Sequence, residues 1–300
     1  MKPTFSEMIG QEKVKTICST LLKYSIDKDV QIPHILFSGN SGNGKTSFAT
    51  ALATEKGTHL YSVNAASIRD KRALLKIIET IAYKDILFID EIHALTKRAA
   101  ESIYTIMEDY YYFDDYGKHI KTPKFTMIGA STEIGLLPAP FKQRFQYVAE
   151  FDPYTDEELI DICQLVCQKQ GFKLNRDMAG IIARTCRGVP RLVKNRTMFI
   201  YQYMVANGIK KVDRTGLLKI IALQGADKDG LERLDYEYIK SLKNYVLGVD
   251  TISSKIGADS STIKKDIEPF LIKKNYVTIS KAGRSLTTQG MILCKKLMTT

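Results

Sequence analysis

The sequence predicts an α/β protein in which a parallel sheet covered by helices is followed by a small helical domain and a winged helix-turn-helix. Three observations support this fold class. Short apolar runs alternate with helix-like stretches through the first half of the 300-residue chain. A glycine-rich segment joins the first of these runs to a helix. Near the carboxyl end, two strand-like segments follow three helix-like ones.

The composition is that of a folded protein with a polyanionic partner. Hydrophobic residues make up 44% and charged residues 26% of the chain, so a packed core is expected, and the length favours two or three domains. The net charge of +11 favours nucleic acid, with a generally basic surface as the alternative. No signal-peptide pattern or long apolar run is present, which predicts a cytoplasmic protein without a membrane contact. The five cysteines are expected to be reduced, buried thiols.

The first predicted domain comprises residues 1–152. Its apolar runs predict five strands, and helix-like stretches lie between them, beginning with Lys13 to Tyr24. Because helices separate the runs, the strands should be parallel with both faces covered, and a ligand should bind at their carboxyl ends. The strands are predicted at Ile35 to Phe37, Leu60 to Val63, Ile86 to Ile89, Phe125 to Ile128 and Tyr147 to Phe151.

A phosphate-binding loop is predicted between the first strand and the next helix. The segment from Gly39 to Thr46 fits G-x-x-x-x-G-K-T, a pattern in which glycines let backbone amides surround a phosphate at a helix start. Lys45 is expected to reach the outer phosphates, and the Thr46 hydroxyl to bind Mg²⁺. The alternative is a glycine-rich turn before a surface helix. The residues predicted to bind the nucleotide here are Gly39, Gly42, Asn43, Gly44, Lys45, Thr46 and Ser47.

Two carboxylates, Asp90 and Glu91, follow the third predicted strand directly. At the carboxyl end of that strand, Asp90 is expected to hold Mg²⁺ through water, and Glu91 to polarise the attacking water. Two acids after a strand can also be a helix cap, but the nearby phosphate-binding loop favours catalysis. His93 has no partner visible in the sequence, so structural, partner-sensing and chemical roles stay open.

Several segments together resemble the RuvB family of AAA+ ATPases, which drive branch migration of Holliday junctions. The similar segments are Leu87 to His93, Met107 to Asp109, Phe125 to Thr132, Gly135 to Leu137 and Arg144 to Phe145, within a similarity that extends from Phe5 to Arg284. The resemblance implies an AAA+ core, ATP and Mg²⁺ as cofactors, a hexameric ring and DNA as the substrate. It also implies that Thr132 senses the γ-phosphate and that Arg144 reaches the neighbouring subunit's site. A structural ion pair is the alternative for Arg144.

Two segments depart from the family's pattern. Asn40, Ser41 and Asn43 stand where the family usually has two prolines and an apolar residue, which predicts a looser loop that still binds nucleotide. The segment from Tyr110 to Thr122 is shorter than the family's hairpin, which docks the junction-binding protein RuvA. It is aromatic and acidic, and it can turn at Asp115 to Gly117. We therefore expect a protein contact at this segment and leave open whether the partner resembles RuvA.

A second predicted domain, residues 153–225, is small and helical. Its helix-like stretches are broken at glycines, and its surface is strongly basic. The basic residues favour nucleic acid, with a solvated face or a subunit contact as alternatives. The helices are predicted at Leu159 to Lys169, Asp177 to Arg187, Pro190 to Asn207 and Arg214 to Gln224.

The segment from Gly188 to Arg191 resembles the family's Gly-Thr-Pro-Arg. Pro190 suits the first helical position, and Arg191 then lies near the positive end of the helix. The resemblance implies that both residues belong to the nucleotide site and that Arg191 binds the γ-phosphate in its own subunit. Hinging of the helical domain would convert hydrolysis into movement. The residues expected to flank adenine are Ile9, Gly10 and Tyr154.

The third predicted domain, residues 226–300, is a winged helix-turn-helix with a basic surface. DNA is the favoured ligand, and protein docking is the alternative. Pro269 lies inside the third helix and is expected to bend it or end it early. The helices are predicted at Tyr236 to Leu247, Thr251 to Ile256, Ser261 to Leu271 and from about Gln289, and the strands at Tyr276 to Ser280 and Arg284 to Thr287. The residues predicted to bind DNA are Lys264, Lys265, Lys281 and Arg284, the last by its match to a DNA-contacting arginine of the family.

Two functions fit these observations. The resemblance favours a ring-shaped ATP-driven motor that promotes branch migration of four-way DNA junctions in recombination and repair. The short aromatic segment at 110–122 favours instead a loader or matchmaker that uses ATP to place a partner, such as a replicative helicase, on DNA. A P-loop kinase is disfavoured because it needs neither an arginine from a second subunit nor a winged domain.

Overall fold

The computed structural model describes residues 3–114 and 116–299. The chain forms two compact units, which we call the first and the second unit. The first consists of Met1–Glu158 and Val189–Arg191, and the second of Leu159–Gly188 and Leu192–Thr300. Because the second unit includes both the helical and the winged parts of the chain, the predicted division into three domains at residues 152 and 225 stays a prediction.

The first unit is built on a parallel sheet, as predicted. The strands of this unit are β1 (Ile35–Ser38), β2 (Leu60–Asn64), β3 (Ile86–Asp90), β4 (Tyr111–Phe113), β5 (His119–Lys121), β6 (Thr126–Ser131) and β7 (Tyr147–Glu150). The sheet has the order β2-β3-β6-β1-β7. The helices that begin in this unit are α1 (Glu12–Asp27), α2 (Lys45–Lys56), α3 (Lys71–Ile78), α4 (Lys97–Asp109), α5 (Ala139–Lys142) and α6 (Asp156–Gln170).

Both faces of the three central strands β1, β3 and β6 are buried, which explains why these strands are mostly apolar, whereas the edge strands β2 and β7 are partly exposed. Side chains alternate between the faces, so that Leu36 and Leu87 pack into one core while Phe37 and Phe88 pack into the other. The first core also contains side chains of α3 and α4, and the second contains side chains of α1 and α2. The buried sheet fixes the carboxyl ends of β1, β3 and β6, where the phosphate-binding loop and the carboxylates were predicted.

The segment between α4 and β6 forms a short antiparallel hairpin, β4–β5, with Phe113 opposite His119. The Asp114 carboxylate accepts hydrogen bonds from the backbone N–H groups of Tyr116, at 2.9 Å, and Lys118, at 2.8 Å. Gly117 has a φ of +77°. The prediction of a hairpin is confirmed, although Asp115, the first residue of the predicted turn, lies outside the described residues.

The second unit contains helices followed by a winged helix, as predicted. Its remaining elements are α7 (Arg176–Thr185), α8 (Pro190–Ala206), α9 (Arg214–Leu223), α10 (Arg233–Ser241), α11 (Val249–Ile256), α12 (Ser260–Thr262), a π-helical turn (Ile263–Ile267), α13 (Glu268–Lys273), β8 (Val277–Ser280), β9 (Gly283–Leu286) and α14 (Thr288–Thr299). The apolar core of the winged part is formed around α10, α11, the π-helical turn and α13.

One prediction about the winged part was wrong. The helix expected to run to Leu247 ends at Ser241, because Asn244 has a φ of +60° and Leu247 pairs with Arg284. The backbone N–H groups of Leu247 and Arg284 donate to each other's carbonyl oxygens, at 3.1 and 2.8 Å. Pro269 was expected to bend its helix or to end it early, and the structure excludes only the early end. The π-helical turn lies directly before it, and the chain stays helical to Lys273.

A buried ion pair joins the helical and the winged parts of the second unit. Arg187, with a φ of +56°, places Nη2 2.5 Å from Asp235 Oδ2 and 3.5 Å from Glu232 Oε2. Its guanidinium carbon lies 4.6 Å from the ring centre of Phe270. The Asp235 side chain is only 1% exposed. Arg187, predicted as part of a basic surface, is therefore an internal contact.

The five cysteines are free and buried, which confirms that prediction. In the second unit the Thr197 hydroxyl donates to Cys163 Sγ at 3.3 Å. Among the described residues, no helix is both long enough and apolar enough to span a bilayer.

Candidate active site

The phosphate-binding loop connects β1 to α2 and is closed by its own lysine. Gly39 and Gly44 have φ values of +151° and +99°, a region that favours glycine, and a Cβ on Gly39 would come within 2.7 Å of Phe151 Cβ. Lys45 Nζ donates to the carbonyl oxygens of Gly39, at 2.7 Å, and Asn40, at 3.0 Å. Burial lowers the pKa of Lys45, while Glu91 and Asp90 raise it. The lysine is thus close enough to both predicted carboxylates to interact with their charges.

Arg191 lies against this loop, as predicted. A Cβ on Gly42 would come within 2.7 Å of Val189 Cγ1 and 3.3 Å of Arg191 Cβ. The positive charge of Arg191 also lowers the pKa of Lys45, after the larger effect of burial. Two cations therefore face the same small region, as a triphosphate with several negative charges requires.

Two of the three residues predicted to flank adenine, Gly10 and Tyr154, meet, and Ile9 directly precedes Gly10 in the chain. Gly10 has a φ of +73°, and a Cβ on it would come within 3.0 Å of Tyr154 Cε1. The Tyr154 hydroxyl donates to the Asn43 carbonyl oxygen at 3.3 Å, and burial raises the pKa of Tyr154 to about 12, so that the phenol stays protonated.

Gln11 was missed by the sequence analysis. Its φ is +59°, its Nε2 donates to the Asp152 carbonyl oxygen at 2.7 Å, and its Oε1 accepts from the Asp152 N–H at 3.0 Å. This pair of bonds ties the start of α1 to the end of β7. Gln11 belongs to no sequence motif that would have predicted this role.

Glu91 and Thr132 are in direct contact across neighbouring strands. Glu91 follows β3 with a φ of +49°, and the Asp90 Oδ1 atom accepts its N–H at 3.1 Å. Thr132 follows β6, and its hydroxyl and N–H donate to Glu91 Oε2 at 2.9 and 3.3 Å. The pairing of β3 with β6 thus brings together the predicted base and the predicted γ-phosphate sensor.

His93 completes this group. Its Nδ1 lies 3.3 Å from Glu91 Oε2 and 3.0 Å from Ser131 Oγ, and its Nε2 lies 3.8 Å from Glu133 Oε2. The sequence left the role of His93 open because two of these partners, Ser131 and Glu133, lie about forty residues further on, at the end of β6 and just after it. The histidine is part of the carboxylate site.

Arg144 forms an ion pair within its own chain. Its Nη2 lies 3.1 Å from Glu108 Oε2, its Nη1 donates to the Pro140 carbonyl oxygen at 2.7 Å, and its guanidinium carbon lies 4.8 Å from the Tyr104 ring centre. The structural alternative weighed from the sequence is therefore present. A role in a neighbouring subunit's site stays a prediction.

The predicted DNA-binding residues divide into two groups. Lys264, Lys265 and Lys281 are exposed. Arg284 instead donates from Nε to Glu268 Oε1 at 2.8 Å and from Nη2 to Oε2 at 3.3 Å, and the Tyr238 hydroxyl donates to the same carboxylate at 3.0 Å. A DNA contact by Arg284 stays a prediction, and it would have to be made by a side chain that is ion-paired with a buried glutamate.

The residues of the first unit fit a magnesium-bound nucleoside triphosphate. Gly39 and Gly42 leave no room for a Cβ, and Gly39, Gly42 and Gly44 all have positive φ values, which suits a loop whose backbone amides approach a phosphate closely. Lys45 and Arg191 supply positive charge, and Thr46 and Asp90 supply the oxygen ligands that Mg²⁺ prefers. Glu91 directly follows Asp90 in the chain and is the carboxylate that can accept a proton from water.

A lysine-closed loop after one strand of a parallel sheet, with a carboxylate pair after another strand of the same sheet, is how P-loop ATPases bind and hydrolyse ATP, and the chain is an enzyme of that class. The comparisons with known proteins identify the family. Residues 1–151 match the family described as the Holliday junction DNA helicase RuvB P-loop domain, and residues 228–295 match the RuvB C-terminal winged helix domain. The chain belongs to the RuvB family, which confirms the resemblance inferred from the sequence.

Relatives and solved structures match over almost the whole chain. The Holliday junction branch migration complex subunit RuvB of Fusobacterium nucleatum is 32% identical over 305 residues, covering 98% of this chain and 92% of that protein. The protein of the same name from Lactobacillus johnsonii is 31% identical over 298 residues, covering 96% and 88%. The structure of the Thermotoga maritima RuvB Holliday junction branch migration motor matches with a TM-score of 0.86 at 26% identity, covering 98% of each chain. These matches confirm the predicted fold class.

Proposed function

We propose that this chain is an ATP-driven motor that promotes branch migration of Holliday junctions in recombination and repair. The observation that carries the proposal is the convergence of Lys45, Glu91, Thr132 and Arg191 in the first unit of a chain that matches RuvB proteins over nearly its full length. Because the substrate is cellular DNA, we also propose that the protein is cytoplasmic.

Hydrolysis uses the side chains in the roles their positions allow. Thr46 and Asp90 hold Mg²⁺, which supplies charge neutralisation at the phosphates when it is bound. Lys45 and Arg191 bind the outer phosphates, and Thr132 donates to the γ-phosphate. Glu91 accepts a proton from the attacking water, a role that contributes typically about 10²–10⁴ in rate.

The proposal includes a hexameric ring in which Arg144 serves the neighbouring subunit. In that role the guanidinium leaves Glu108 and neutralises charge on the transferring phosphoryl group. Because the Glu108 side chain is 54% exposed, its ion pair with Arg144 contributes little to stability, and breaking it costs little free energy.

DNA binding is proposed for the second unit. Positive charge is presented at two places. Lys264 and Lys265 lie in the π-helical turn before α13, and Lys281 lies between the two wing strands, three residues before Arg284 on β9. Contacts of this kind reach the phosphate backbone and give binding that does not depend on sequence. A motor that moves along any duplex needs this property.

The test is dissociation of a synthetic four-way junction with fluorescent arms. Wild-type protein with ATP and Mg²⁺ should convert the junction to duplex products, and omission of ATP should prevent it. Glu91→Gln should bind nucleotide and junction but leave the junction intact. Unchanged junction movement by Glu91→Gln would remove the proposed mechanism.

A loader is the second candidate, and the β4–β5 hairpin favours it. Phe113 is 48% and Tyr116 is 96% exposed on a hairpin shorter than the family's, so the partner docked there can differ from RuvA. A loader would hydrolyse ATP in the presence of DNA but would not move the junction, with or without a RuvA-like protein. Stimulation of junction movement by a RuvA-like protein, lost in Tyr116→Ala, would exclude the loader and assign the hairpin to that partner.

A further inference from the structure

We propose that His93 is a positioning residue for ATP hydrolysis, which holds the Glu91 carboxylate in the orientation that accepts a proton from the attacking water. This inference rests on the proposed function of the site, because it assigns a role within the same ATPase reaction. His93 does not touch the nucleotide in this role. It acts through Glu91.

The side-chain contacts of the Glu91 carboxylate converge on one of its oxygens. Thr132 Oγ1 lies 2.9 Å, the Thr132 nitrogen 3.3 Å and His93 Nδ1 3.3 Å from Oε2. With Oε2 held from two sides, Oε1 is the oxygen directed to the water. A base held in this way needs no rearrangement when the proton is transferred.

The Thr132 hydroxyl cannot hold Glu91 throughout the reaction, which leaves the longer bond from the Thr132 N–H. The hydroxyl carries one proton, so it can donate either to Glu91 or to the γ-phosphate, but not to both. When the hydroxyl turns to the phosphate, His93 is the side chain that still orients Oε2. The histidine therefore matters most in the state that reacts.

The positioning role requires a proton on Nδ1 of the ring. A carboxylate only accepts hydrogen bonds, so the contact from Nδ1 to Glu91 is favourable when Nδ1 carries a proton. Ser131 Oγ accepts the Glu133 N–H at 3.0 Å and lies 3.0 Å from Nδ1. Glu133 faces the other nitrogen, Nε2, at 3.8 Å.

The turn that carries His93 is fixed to the sheet. The Ala94 N–H donates to the Glu91 carbonyl oxygen at 2.8 Å, and the neighbouring Ile92 is 1% exposed. A Cβ on Gly129 would come within 2.7 Å of Ile92 Cδ1, so this side chain packs directly on the β6 backbone. The imidazole, with 15% of its side chain exposed, is thus held at a constant distance from Glu91.

Three substitutions separate the proposed role from general damage. The amide nitrogen of asparagine lies near the place of Nδ1, whereas that of glutamine lies near the place of Nε2. We expect His93→Ala and His93→Gln to lower kcat for ATP about tenfold to a hundredfold, because misplacing a catalytic group by about 1 Å has an effect of this size. His93→Asn should recover most of kcat. KM and the equilibrium affinity for a fluorescent ATP analogue should stay unchanged in all three variants.

Two controls keep the result interpretable. His59→Asn changes an exposed histidine of the same unit and should leave kcat unchanged. Thermal unfolding should show that the His93 variants are folded. Equal kcat in wild type and His93→Ala would overturn the positioning role, and so would equal losses in the asparagine and glutamine variants. Absence of ATP hydrolysis by the wild type would instead refute the proposed function itself.

A second readout does not depend on turnover. Long-range ¹H–¹⁵N spectra of protein labelled at its four histidines report which ring nitrogen of His93 is protonated. We expect a protonated Nδ1 in the wild type and a changed His93 signal in Glu91→Gln. A His93 ring protonated only at Nε2 in the wild type would contradict the proposal.

Discussion

In the first unit, the charged side chains gather at the carboxyl ends of the strands, where 29% of the Glu91 side chain is still exposed. In the second unit, arginine and carboxylate residues face inward, and the Asp235 and Glu268 side chains are only 1% and 5% exposed. Charged side chains thus form the proposed catalytic site in the first unit and stabilise the fold through buried ion pairs in the second unit. Exposure and the identity of the partner, rather than the residue type, distinguish the two uses.

The largest expected effect tests the proposed catalytic role of the charged side chains in the first unit. Glu91→Gln removes the proton acceptor and keeps the size and the hydrogen-bonding capacity of the side chain. We expect kcat for ATP to fall by about 10²–10⁴ with little change in stability. Single-turnover hydrolysis and thermal unfolding measure the two effects. A large loss of stability would mean that Glu91 is a structural carboxylate like Asp235.

The second largest expected effect tests the structural role of the buried ion pair between Arg187 and Asp235. Asp235→Ala leaves Arg187 buried without its closest partner, and we expect the second unit to lose about 3–5 kcal/mol of unfolding free energy. The double variant Arg187→Met/Asp235→Leu removes both charges and should recover most of this loss. Urea denaturation followed by circular dichroism measures the difference. A double variant no more stable than the single one would contradict the ion-pair explanation.

A histidine extends the comparison within the first unit. His34 is buried, its Nδ1 accepts the Met127 N–H at 2.9 Å, and its Nε2 lies 3.2 Å from the Met107 carbonyl oxygen. Burial lowers the pKa of His34 from 6.5 to about 4, while the Met107 hydrogen bond opposes the shift. Whereas His93 faces the site, His34 is part of the fold.

This difference gives a pH dependence with a definite sign. The unfolded chain takes up the His34 proton more readily than the folded one, so the contribution is fully present above pH 6.5 and is lost as the pH falls toward 4. We expect a loss of about 3 kcal/mol over that window. Urea midpoints of the first unit between pH 7 and 4 measure it. His34→Gln, which does not titrate, should show a smaller dependence, and an equal one would assign the effect to other groups.

The smallest expected effects concern the winged part. Arg284→Met leaves Glu268 buried with only Tyr238 as a side-chain partner, and we expect it to cost about 1–3 kcal/mol of stability. Lys264→Ala and Lys281→Ala should change stability by less than about 0.5 kcal/mol. They should weaken junction binding and reduce its salt dependence by about one unit of slope each.

Weaker DNA binding by Arg284→Met at unchanged stability would reverse this assignment. The arginine would then belong with the exposed lysines, as the family resemblance implies, and its ion pair with Glu268 would be exchangeable for a phosphate. Salt-dependent binding curves and unfolding curves of the same variants decide between the two roles.

Features that depend on a short stretch of sequence could be predicted from the sequence alone. Continuous apolar runs predicted the central strands because both faces of these strands are buried, and the glycine pattern predicted the loop because its unusual φ values require glycine. The class of site followed from two carboxylates directly after a strand.

Most of the contacts that the sequence did not predict join residues that are distant in the chain, and the contact between His93 and Glu91 is a local exception. His93 contacts Ser131, Arg187 contacts Asp235, and Leu247 pairs with Arg284. A local pattern contains only one member of such a pair. The helix predicted to reach Leu247 failed for this reason, since pairing with β9 overrides the helical preference of the segment.

The widened turn before Pro269 is equivalent to one extra residue inserted into an ordinary helix. Deleting a single residue there would let the segment close into ordinary helical turns. Phe270 and Leu271 would then keep their places in the core. The widened turn therefore absorbs the extra residue locally, without passing a rotation on to the helix that follows.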